Sequence, residues 1–319
     1  MQGRRISCNS AGAAMTRRPK ATGGGHEFGG QHTEIKLSVV AGYLRAYTRA
    51  LRPHWQNLWY IDAFAGTGSR TVRVSARDGD LVDDPVPEQV EERKGSARIA
   101  IEIEPAFDRL VFMEQNRRHC AALHALKDEF RDRDISIVEG DANKLIQGEI
   151  AWSGWRKTRA VMFLDPYGMT VEWETLKAIA NTKAIDVWYL FSLSGLYRQA
   201  ARRADAIDDA KRQAISRMLG TDEWEERLYA APVEQDLLSA IEDPRVRQRT
   251  ADVKGLEQYV KQRLHDVFPL VLDPLPLPLN RGAQRYSLFF AASNPDPKAM
   301  SLAKKFGSHM LAAGRASHV

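Results

Sequence analysis

Four acidic side chains stand at the ends of successive apolar segments that have the composition of buried strands. They are Asp62, Glu114, Asp141 and Asp165. Because the carboxyl ends of parallel strands meet at one edge of a sheet, we expect these side chains to line a common crevice. A single Asp or Glu at such a position commonly caps a helix instead. The ordered set is therefore more specific than any one of its members.

A glycine turn follows the first of these acids. Between residues 59 and 68, strand-forming residues run into Asp62, and the chain then turns through Gly66 and Gly68. Such a turn presents backbone N–H groups to a nucleotide-like ligand. We expect the amides of residues 65–67 to meet the polar end of that ligand, while Asp62 binds it or braces the turn. The turn matches neither a P-loop nor the Gly-x-Gly-x-x-Gly of dinucleotide dehydrogenases, which disfavours both classes.

The next two acids suit a nucleoside. An acceptor after the second strand, here Glu114, can take both hydroxyls of a ribose. After the third strand, Asp141 can accept from the exocyclic amine of adenine while the amide of Ala142 donates to a ring nitrogen. The residues predicted to bind the ligand are Asp62, Phe64, Ala65, Gly66, Gly68, Glu114, Asp141 and Ala142.

Strands and helices alternate around these acids. Apolar runs predict strands over residues 58–63, 110–113, 135–138, 160–164 and 185–191. Helical periodicity predicts a first helix from Thr33 to Pro53 and later helices over residues 117–130, 144–152 and 171–182. This alternation predicts an α/β fold with a Rossmann-like, doubly wound and mostly parallel sheet that carries helices on both faces.

The remaining segments complete the predicted organisation. Residues 1–30 form a disordered basic tail, 31–197 the core, 198–250 a charged helical insertion, and 251–319 the completion of the sheet and a closing helix. The proline-rich run near residues 271–278 can form only an edge or broken strand, because proline cannot donate to a ladder. The predicted insertion is a solvated helical cap or, alternatively, a surface that faces the substrate.

Residues 69–94 interrupt the regular alternation after the glycine turn. Their aspartates, prolines and charged run predict an extended surface loop that could include a short hairpin. Gly95 and Ser96 then open the delayed helix. The expected consequence is that this helix begins away from Gly68, so that its N-terminus is displaced from the turn.

Composition limits the class of protein. The chain is 44% hydrophobic, which supports a sizeable core, and no run reaches the ~18 apolar residues of a membrane span. The first residues lack the apolar core of a secretory signal, so we expect a soluble cytoplasmic protein without membrane contact. With only Cys8 and Cys120, and no metal spacing among the histidines, we predict neither a disulfide framework nor a metal site.

The positive charge of the chain is concentrated in its tail. The net charge is +5, and residues 1–30 contribute five basic residues against the single acid Glu27. The rest of the chain is therefore close to neutral, at about +1, and overall pI is poor support for a basic binding face.

The ordered acids, together with the glycine turn, resemble class I S-adenosylmethionine-dependent methyltransferases over about residues 58–192. A narrower match spans about residues 32–195. It consists of Thr33-Glu-Ile-Lys36, Tyr60-Ile-Asp-Ala-Phe-Ala-Gly66, Gly95-Ser96, Gly140-Asp-Ala-Asn143 and Asp165-Pro-Tyr-Gly168. In these segments the chain resembles the three-Cys-motif partner protein family (TcmP). The resemblance implies S-adenosylmethionine as cofactor and a separate protein with a three-cysteine motif as partner.

The resemblance also gives Asp165-Pro166-Tyr167 a role. It is similar to the Asp/Asn-Pro-Pro-Tyr/Phe motif of methyltransferases that act on exocyclic amines. This implies that Asp165 and the Pro166 carbonyl accept hydrogen bonds from the amine while Tyr167 stacks on the base. The sequence departs by having one proline followed by Gly168, a version that resembles guanine-N2 tRNA methyltransferases and favours RNA as the nucleic-acid substrate. The alternative is that Asp165 only caps the next helix.

Two other functions stay open from sequence. The first is a non-catalytic partner subunit that keeps the methyltransferase fold and docks the three-cysteine protein through residues 69–94 and 198–250. The second is a nucleic-acid-binding module that acts through the basic tail.

Overall fold

The computed structural model describes residues 31–74, 89–149, 154–230, 247–278 and 283–317. The predicted disordered tail, residues 1–30, lies outside these described residues, as does the middle of the 69–94 segment. Within them, no helix is both long enough and apolar enough to cross a membrane.

Ten α-helices occur in the described residues. They are α1 (Gln31–Leu51), α2 (Ser96–Ile101), α3 (Arg117–Glu129), α4 (Ala142–Glu149), α5 (Trp173–Asn181), α6 (Leu193–Gln199), α7 (Asp209–Leu219), α8 (Trp224–Leu228), α9 (Val253–His265) and α10 (Pro297–Ala316). The strands are β1 (Asn57–Asp62), β2 (Ser69–Val74), β3 (Gln89–Lys94), β4 (Arg109–Glu114), β5 (Ile135–Glu139), β6 (Thr158–Leu164), β7 (Ile185–Phe191), β8 (Tyr229–Ala230), β9 (Gln248–Arg249), β10 (Leu270–Val271), β11 (Leu275–Leu277) and β12 (Tyr286–Ala292).

The central sheet has the order β10-β12-β7-β6-β1-β4-β5, with β11 also paired to β12. Strands β5, β4, β1, β6 and β7 are mutually parallel, and β12 runs antiparallel to β7. Two apolar clusters cover its faces, one containing α1 and α10 residues and the other residues from α5, α7 and α9. The predicted α/β fold with a mostly parallel sheet is confirmed.

The order of the strands reverses at the centre of the sheet. From β1 the chain moves to β4 and then β5 on one side, and it returns to form β6 and β7 on the other. Strands β1 and β6 are neighbours, so a crevice opens beyond their carboxyl ends. Ligands of open α/β sheets bind at such a switch point.

The 69–94 segment is a hairpin at its base. Strands β2 and β3 pair antiparallel, with Ser69 opposite Lys94. The Gly95 amide donates to the Gly68 carbonyl at 2.9 Å, and α2 begins at Ser96. The expectation that this helix begins away from Gly68 is therefore wrong, because the paired strands return the chain to the point it left.

The 198–250 segment is helical in part. Helix α6 crosses its predicted first boundary, and α7 and α8 place Ile215, Met218 and Trp224 in the same apolar cluster as the sheet. The short strands β8 and β9 pair antiparallel, and residues 231–246 lie outside the described range. The proline-rich run forms the two short strands β10 and β11 on β12, as a broken strand.

Candidate functional site

Strand register brings three of the predicted acids around the end of β1. Asp62 is opposite Phe112 of β4 on one side and Phe163 of β6 on the other. Glu114 and Asp165 each stand two residues further along their chains. Asp62 therefore lies between Glu114 and Asp165 at the switch point. On the next strand, Glu139 is opposite Glu114, and Asp141 again follows two residues later.

Asp62 is fully buried and serves the turn that follows it. Its carboxylate accepts from the Phe64 amide at 3.2 Å and from the Tyr60 hydroxyl at 3.3 Å. Burial raises the pKa of Asp62 to about 6, with Asp165 adding to the rise, while a hydrogen bond from Ser96 at the start of α2 opposes it. The carboxylate thus ties β1, the turn and α2 together.

This environment predicts a pH dependence of stability. The pKa of Asp62 is 3.8 in the unfolded chain and about 6 in the fold. Between these values the folded protein holds a proton that the unfolded chain has released, so stability falls as pH rises from about 4 to about 6. The difference corresponds to roughly 3 kcal/mol. In Asp62→Asn that loss should disappear, because the Tyr60 and Ser96 hydroxyls can turn to accept from the amide.

Urea denaturation of both proteins at pH 4.0 and pH 7.5 measures the effect. We expect the wild-type protein to lose roughly 2–3 kcal/mol more than Asp62→Asn between the two values. Equal losses would show that Asp62 ionises in the fold without a burial cost.

Glu114 holds the glycine turn from the other side. Its side chain is only 8% exposed, and its two oxygens accept from the amides of Gly66 at 3.0 Å and Asn116 at 2.8 Å. The Ala65 amide donates to the Met113 carbonyl at 3.1 Å. The amides of residues 65 and 66 were expected to face a ligand. In the structure they donate their hydrogen bonds to acceptors within the protein.

The turn nevertheless faces open space. Gly66 has a φ of +61°, a conformation that favours glycine, and a Cβ built there would meet no atom within 4 Å. A ligand can therefore approach the Gly66 backbone without a side chain in its path. Each Glu114 oxygen can also accept a second hydrogen bond. These features fit a ligand that brings hydroxyl donors to the turn.

Asp141 performs the helix-capping role that the sequence left open. It is exposed, and its carboxylate accepts from the Lys144 amide at 3.1 Å at the start of α4. Its neighbour Ala142 is buried. The predicted adenine contact from this pair stays a prediction.

Asp165 does not cap a helix, because α5 begins only at Trp173. Its carboxylate instead forms an ion pair with Lys36, through oxygen Oδ2. Pro166 is buried, whereas Tyr167 is 65% exposed beside Gly168, which has a φ of +74°. The three predicted catalytic residues therefore present one half-buried carboxylate and one exposed ring at the end of β6.

Lys36 contacts a predicted catalytic residue, although its position in the sequence predicted no role for it. It belongs to α1, and its side chain is only 10% exposed, on the same helical face as Val40, Tyr43 and Tyr47. A lysine on the buried face of a helix needs an anionic partner. That position within an apolar stripe was the available signal, although it does not identify Asp165 as the partner.

Asn143 is a second residue whose role emerges from the structure. Its buried amide donates to the Thr170 carbonyl at 2.8 Å and accepts from the Glu172 amide at 3.0 Å and the Thr175 hydroxyl at 2.8 Å. It therefore fixes the end of the loop that begins with Asp165. Asn143 lies in the predicted Gly140–Asn143 element, but nothing local indicates what it contacts.

A separate cavity of about 600 Å³ lies beside α8 and α9, lined by residues such as Arg227, Tyr259 and His265. None of the four strand-end acids lines it. We assign function to the strand ends because the switch point, the glycine turn and the acids coincide there.

No family model matches the chain, and no curated protein matches it. Similar solved structures include protein LPL1258 from Legionella pneumophila, at 12% identity over 86% of this chain and 92% of that chain, with a TM-score of 0.44. An S-adenosylmethionine-dependent methyltransferase from Clostridium acetobutylicum has 10% identity over 82% and 92%, with a TM-score of 0.37. Spermidine synthase from Thermotoga maritima has 14% identity over 84% and 61%, with a TM-score of 0.36. Likenesses of this strength carry no argument about function, so the α/β fold stands on the observed sheet order.

Proposed function

We propose that this protein is an S-adenosylmethionine-dependent methyltransferase that transfers methyl to an amine nitrogen of a nucleobase. One observation carries the proposal. Asp62, Glu114 and Asp165 flank a glycine turn at the switch point of a parallel sheet. The cofactor side and the substrate side of such a reaction would then lie on adjacent strands.

The cofactor side consists of the ends of β1 and β4 and the glycine turn that follows β1. Glu114 would accept from ribose hydroxyls through its remaining acceptor sites, and Gly66 leaves space for the ligand beside the backbone. Asp141 and Ala142 would contact the adenine. S-adenosylmethionine would supply an already activated methyl sulfonium, so the protein contributes mainly proximity and orientation.

The substrate side is the loop after β6. Asp165 Oδ1 and the Pro166 carbonyl would accept hydrogen bonds from the amine and aim its lone pair at the methyl group. As the nitrogen–methyl bond forms and the methyl–sulfur bond breaks, positive charge would develop on the nitrogen, and the Asp165 carboxylate would stabilise that charge. The nitrogen would then release a proton to solvent, and S-adenosylhomocysteine would be the other product. The exposed Tyr167 ring would stack on the base.

Lys36 would orient this carboxylate. Its ammonium takes Oδ2 of Asp165, which leaves Oδ1 for the amine. The ion pair joins α1 to the end of β6, so the substrate side is held by a helix that lies 129 positions earlier in the chain.

The resemblance to the TcmP family supports a further part of the proposal, a separate partner protein with a three-cysteine motif. A non-catalytic role within that complex is the alternative to an enzyme. Methyl transfer from labelled S-adenosylmethionine to nucleic acid by the isolated chain would decide for the enzyme. If the chain binds the cofactor but transfers no methyl group, either alone or in the purified complex, the alternative is correct.

Glu114→Gln tests the cofactor side. The Glu114 carboxylate accepts from two backbone N–H groups, and the glutamine would place its amide N–H₂ against one of them, donor against donor. The substitution would also remove the negative charge. We expect S-adenosylmethionine affinity to fall about 10- to 100-fold, since a hydrogen bond to a charged group contributes about 1.5–3 kcal/mol. Isothermal titration calorimetry measures this change.

Glu139→Gln is the matched control. Glu139 is opposite Glu114 on β5, but it is exposed and pairs with Arg117 at the surface, so its replacement should leave affinity unchanged. A folded wild-type protein that binds no S-adenosylmethionine would refute the proposed function. An equal loss in both variants would show that Glu114 has no specific role.

A further inference from the structure

Two exposed tyrosines lie on the same edge of the sheet. Among the described residues, the large hydrophobic side chains that are exposed are Tyr167, at 65%, and Tyr197, at 43%. Tyr167 follows β6, and Tyr197 lies in α6, which begins where β7 ends. The two segments touch, because a Cβ built on Gly195 would lie 3.1 Å from Cγ of Met169. The two tyrosines therefore stand on neighbouring segments that follow adjacent strands.

Arg249 lies against the second tyrosine. Its guanidinium carbon is 3.8 Å from the centroid of the Tyr197 ring, and its Nη1 donates to the Tyr197 carbonyl at 3.1 Å. The Nε of Arg249 is buried and has no hydrogen-bond partner among the described residues. The Arg249 amide donates to the Arg202 carbonyl at 2.7 Å, so the backbone of Arg202, which is also exposed, runs beside that of Arg249.

Three arginines of this region lack an anionic partner within the described residues. Arg198, Arg202 and Arg285 are exposed and form no ion pair there. The Arg285 carbonyl accepts from the Ser194 amide at 2.9 Å, so Arg285 adjoins the first turn of α6.

Other arginines of the same segment are structural. Arg203 pairs with Asp205, and Arg212 pairs with Glu225 and donates to the carbonyls of Ile207 and Ala204. The unpaired arginines are therefore a distinct set.

Arg285 also lies near the first turn of α1. His32 stacks on Tyr286, with ring centroids 5.9 Å apart. Burial lowers the pKa of His32, and Lys36 and Arg285 lower it further, while Asp165 opposes them. Arg285 thus lies near both α6 and the first turn of α1, where Lys36 is already paired with Asp165.

We propose that Tyr167, Tyr197, Arg198, Arg202, Arg249 and Arg285 form a binding face for single-stranded nucleic acid. We name it the arginine–tyrosine face. Its use as the substrate surface rests on the proposed methyl transfer at Asp165, which Tyr167 adjoins, but nucleic-acid binding itself does not require that reaction.

The chemistry of the face selects this ligand. Exposed arginines bind backbone phosphates, and exposed aromatic rings stack on bases that are free of a duplex. Tyrosine and arginine also occur together in protein interfaces, so competition by an acidic polypeptide is one of the outcomes that the experiment scores. RNA and single-stranded DNA share phosphates and stacking bases, so the experiment must separate them.

Fluorescence anisotropy with a uridine 12-mer and a thymidine 12-mer, at several salt concentrations, tests the face. In the full chain, R198Q/R202Q/R285Q should weaken binding about 100-fold at 0.1 M salt and reduce the slope of log affinity against log salt by about 2. K298Q/K304Q/K305Q removes the same charge from exposed positions of α10 and should change the slope little.

The tyrosine contribution is measured separately. Tyr197→Ala should weaken binding about 5- to 100-fold with an unchanged salt slope, whereas Tyr197→Phe should bind as the wild-type protein does. Tighter binding of the uridine strand would identify RNA, and equal binding would identify single strands in general.

Several results would overturn the face. The first is that the arginine triple variant keeps the salt slope of the wild-type protein. The second is that deletion of residues 2–30 alone abolishes binding. The third is that poly-glutamate competes with the labelled strand as strongly as RNA does. Methyl transfer is scored in parallel. Nucleic-acid binding without methyl transfer, either by the chain alone or in the purified complex, would refute the proposed function and leave the face intact. Full methyl-transfer activity of the triple variant would refute the use of the face as the substrate surface.

Discussion

Asp165→Asn is expected to lower methyl transfer about 10²- to 10³-fold, the loss typical of removing one group that stabilises developing charge. Lys36 claims one oxygen of the side chain. In the asparagine variant the remaining oxygen would turn to Lys36, and the amide N–H₂ would face the amine of the substrate, donor against donor. Single-turnover assays with labelled S-adenosylmethionine measure the rate.

Cofactor affinity should stay within about threefold in this variant, because Asp165 lies on the substrate side of the switch point. Glu172→Gln is the control. Glu172 closes the same loop, and its carboxylate accepts only from Gln147 among the described side chains. A fully active Asp165→Asn protein would remove the residue from the reaction. If Asp165→Asn also lost S-adenosylmethionine binding, Asp165 would belong to the cofactor pocket instead.

Gly95→Ala is expected to destabilise the fold by about 1–3 kcal/mol, the usual cost of overpacking a tight contact. A Cβ at residue 95 would lie 2.8 Å from both the carbonyl carbon and the oxygen of Gly68. Both atoms are backbone, so no side chain can rotate away and the chain itself must shift. That shift moves the glycine turn, and we therefore expect weaker S-adenosylmethionine binding as well.

Gly148→Ala provides the comparison. Gly148 lies inside α4, and a Cβ there would meet no atom within 4 Å, so alanine should stabilise the protein by about 0.5–1 kcal/mol. Urea denaturation of both variants measures the contrast. Equal stabilities would show that the Gly68–Gly95 approach is looser than the structure has it.

The parallel sheet and its acidic edge could be predicted because their signals are local. An apolar run marks each buried strand, and the acid that ends the run marks the edge, as with Phe112 and Glu114. Parallel connectivity then places all such ends together. The proline-rich segment was predictable for the same reason, since proline excludes a regular strand wherever it stands.

The contacts that finish the site could not be predicted, because they join residues distant in the chain. Lys36 and Asp165 are 129 positions apart, and nothing near either residue identifies the other. Asn143 braces a loop 27 positions away in the same manner. The approach of Gly95 to Gly68 depends on the register of β2 and β3; the sequence allowed a short hairpin within residues 69–94 but did not fix that register.

The arginines of residues 198–250 show what overall composition leaves out. In sequence they form one charged set among aspartates, typical of a solvated cap. In the structure Arg203 and Arg212 pair with acids of the same segment, whereas Arg198 and Arg202 form no ion pair with any residue that the structure describes. The body is nearly neutral on average and still carries a local positive surface.

Because of the hairpin at residues 69–94, the geometry of the site does not depend on how many residues the hairpin contains. The chain leaves at Ser69 and returns at Lys94 as paired neighbours, and Gly95 is hydrogen-bonded to Gly68. Residues beyond that pair can grow or shrink in number at a loop-closure cost of only about 0.6 kcal/mol per doubling. The turn and α2 are thus a fixed base on which segments of different length and sequence can be exchanged while the strand-end acids stay where they are.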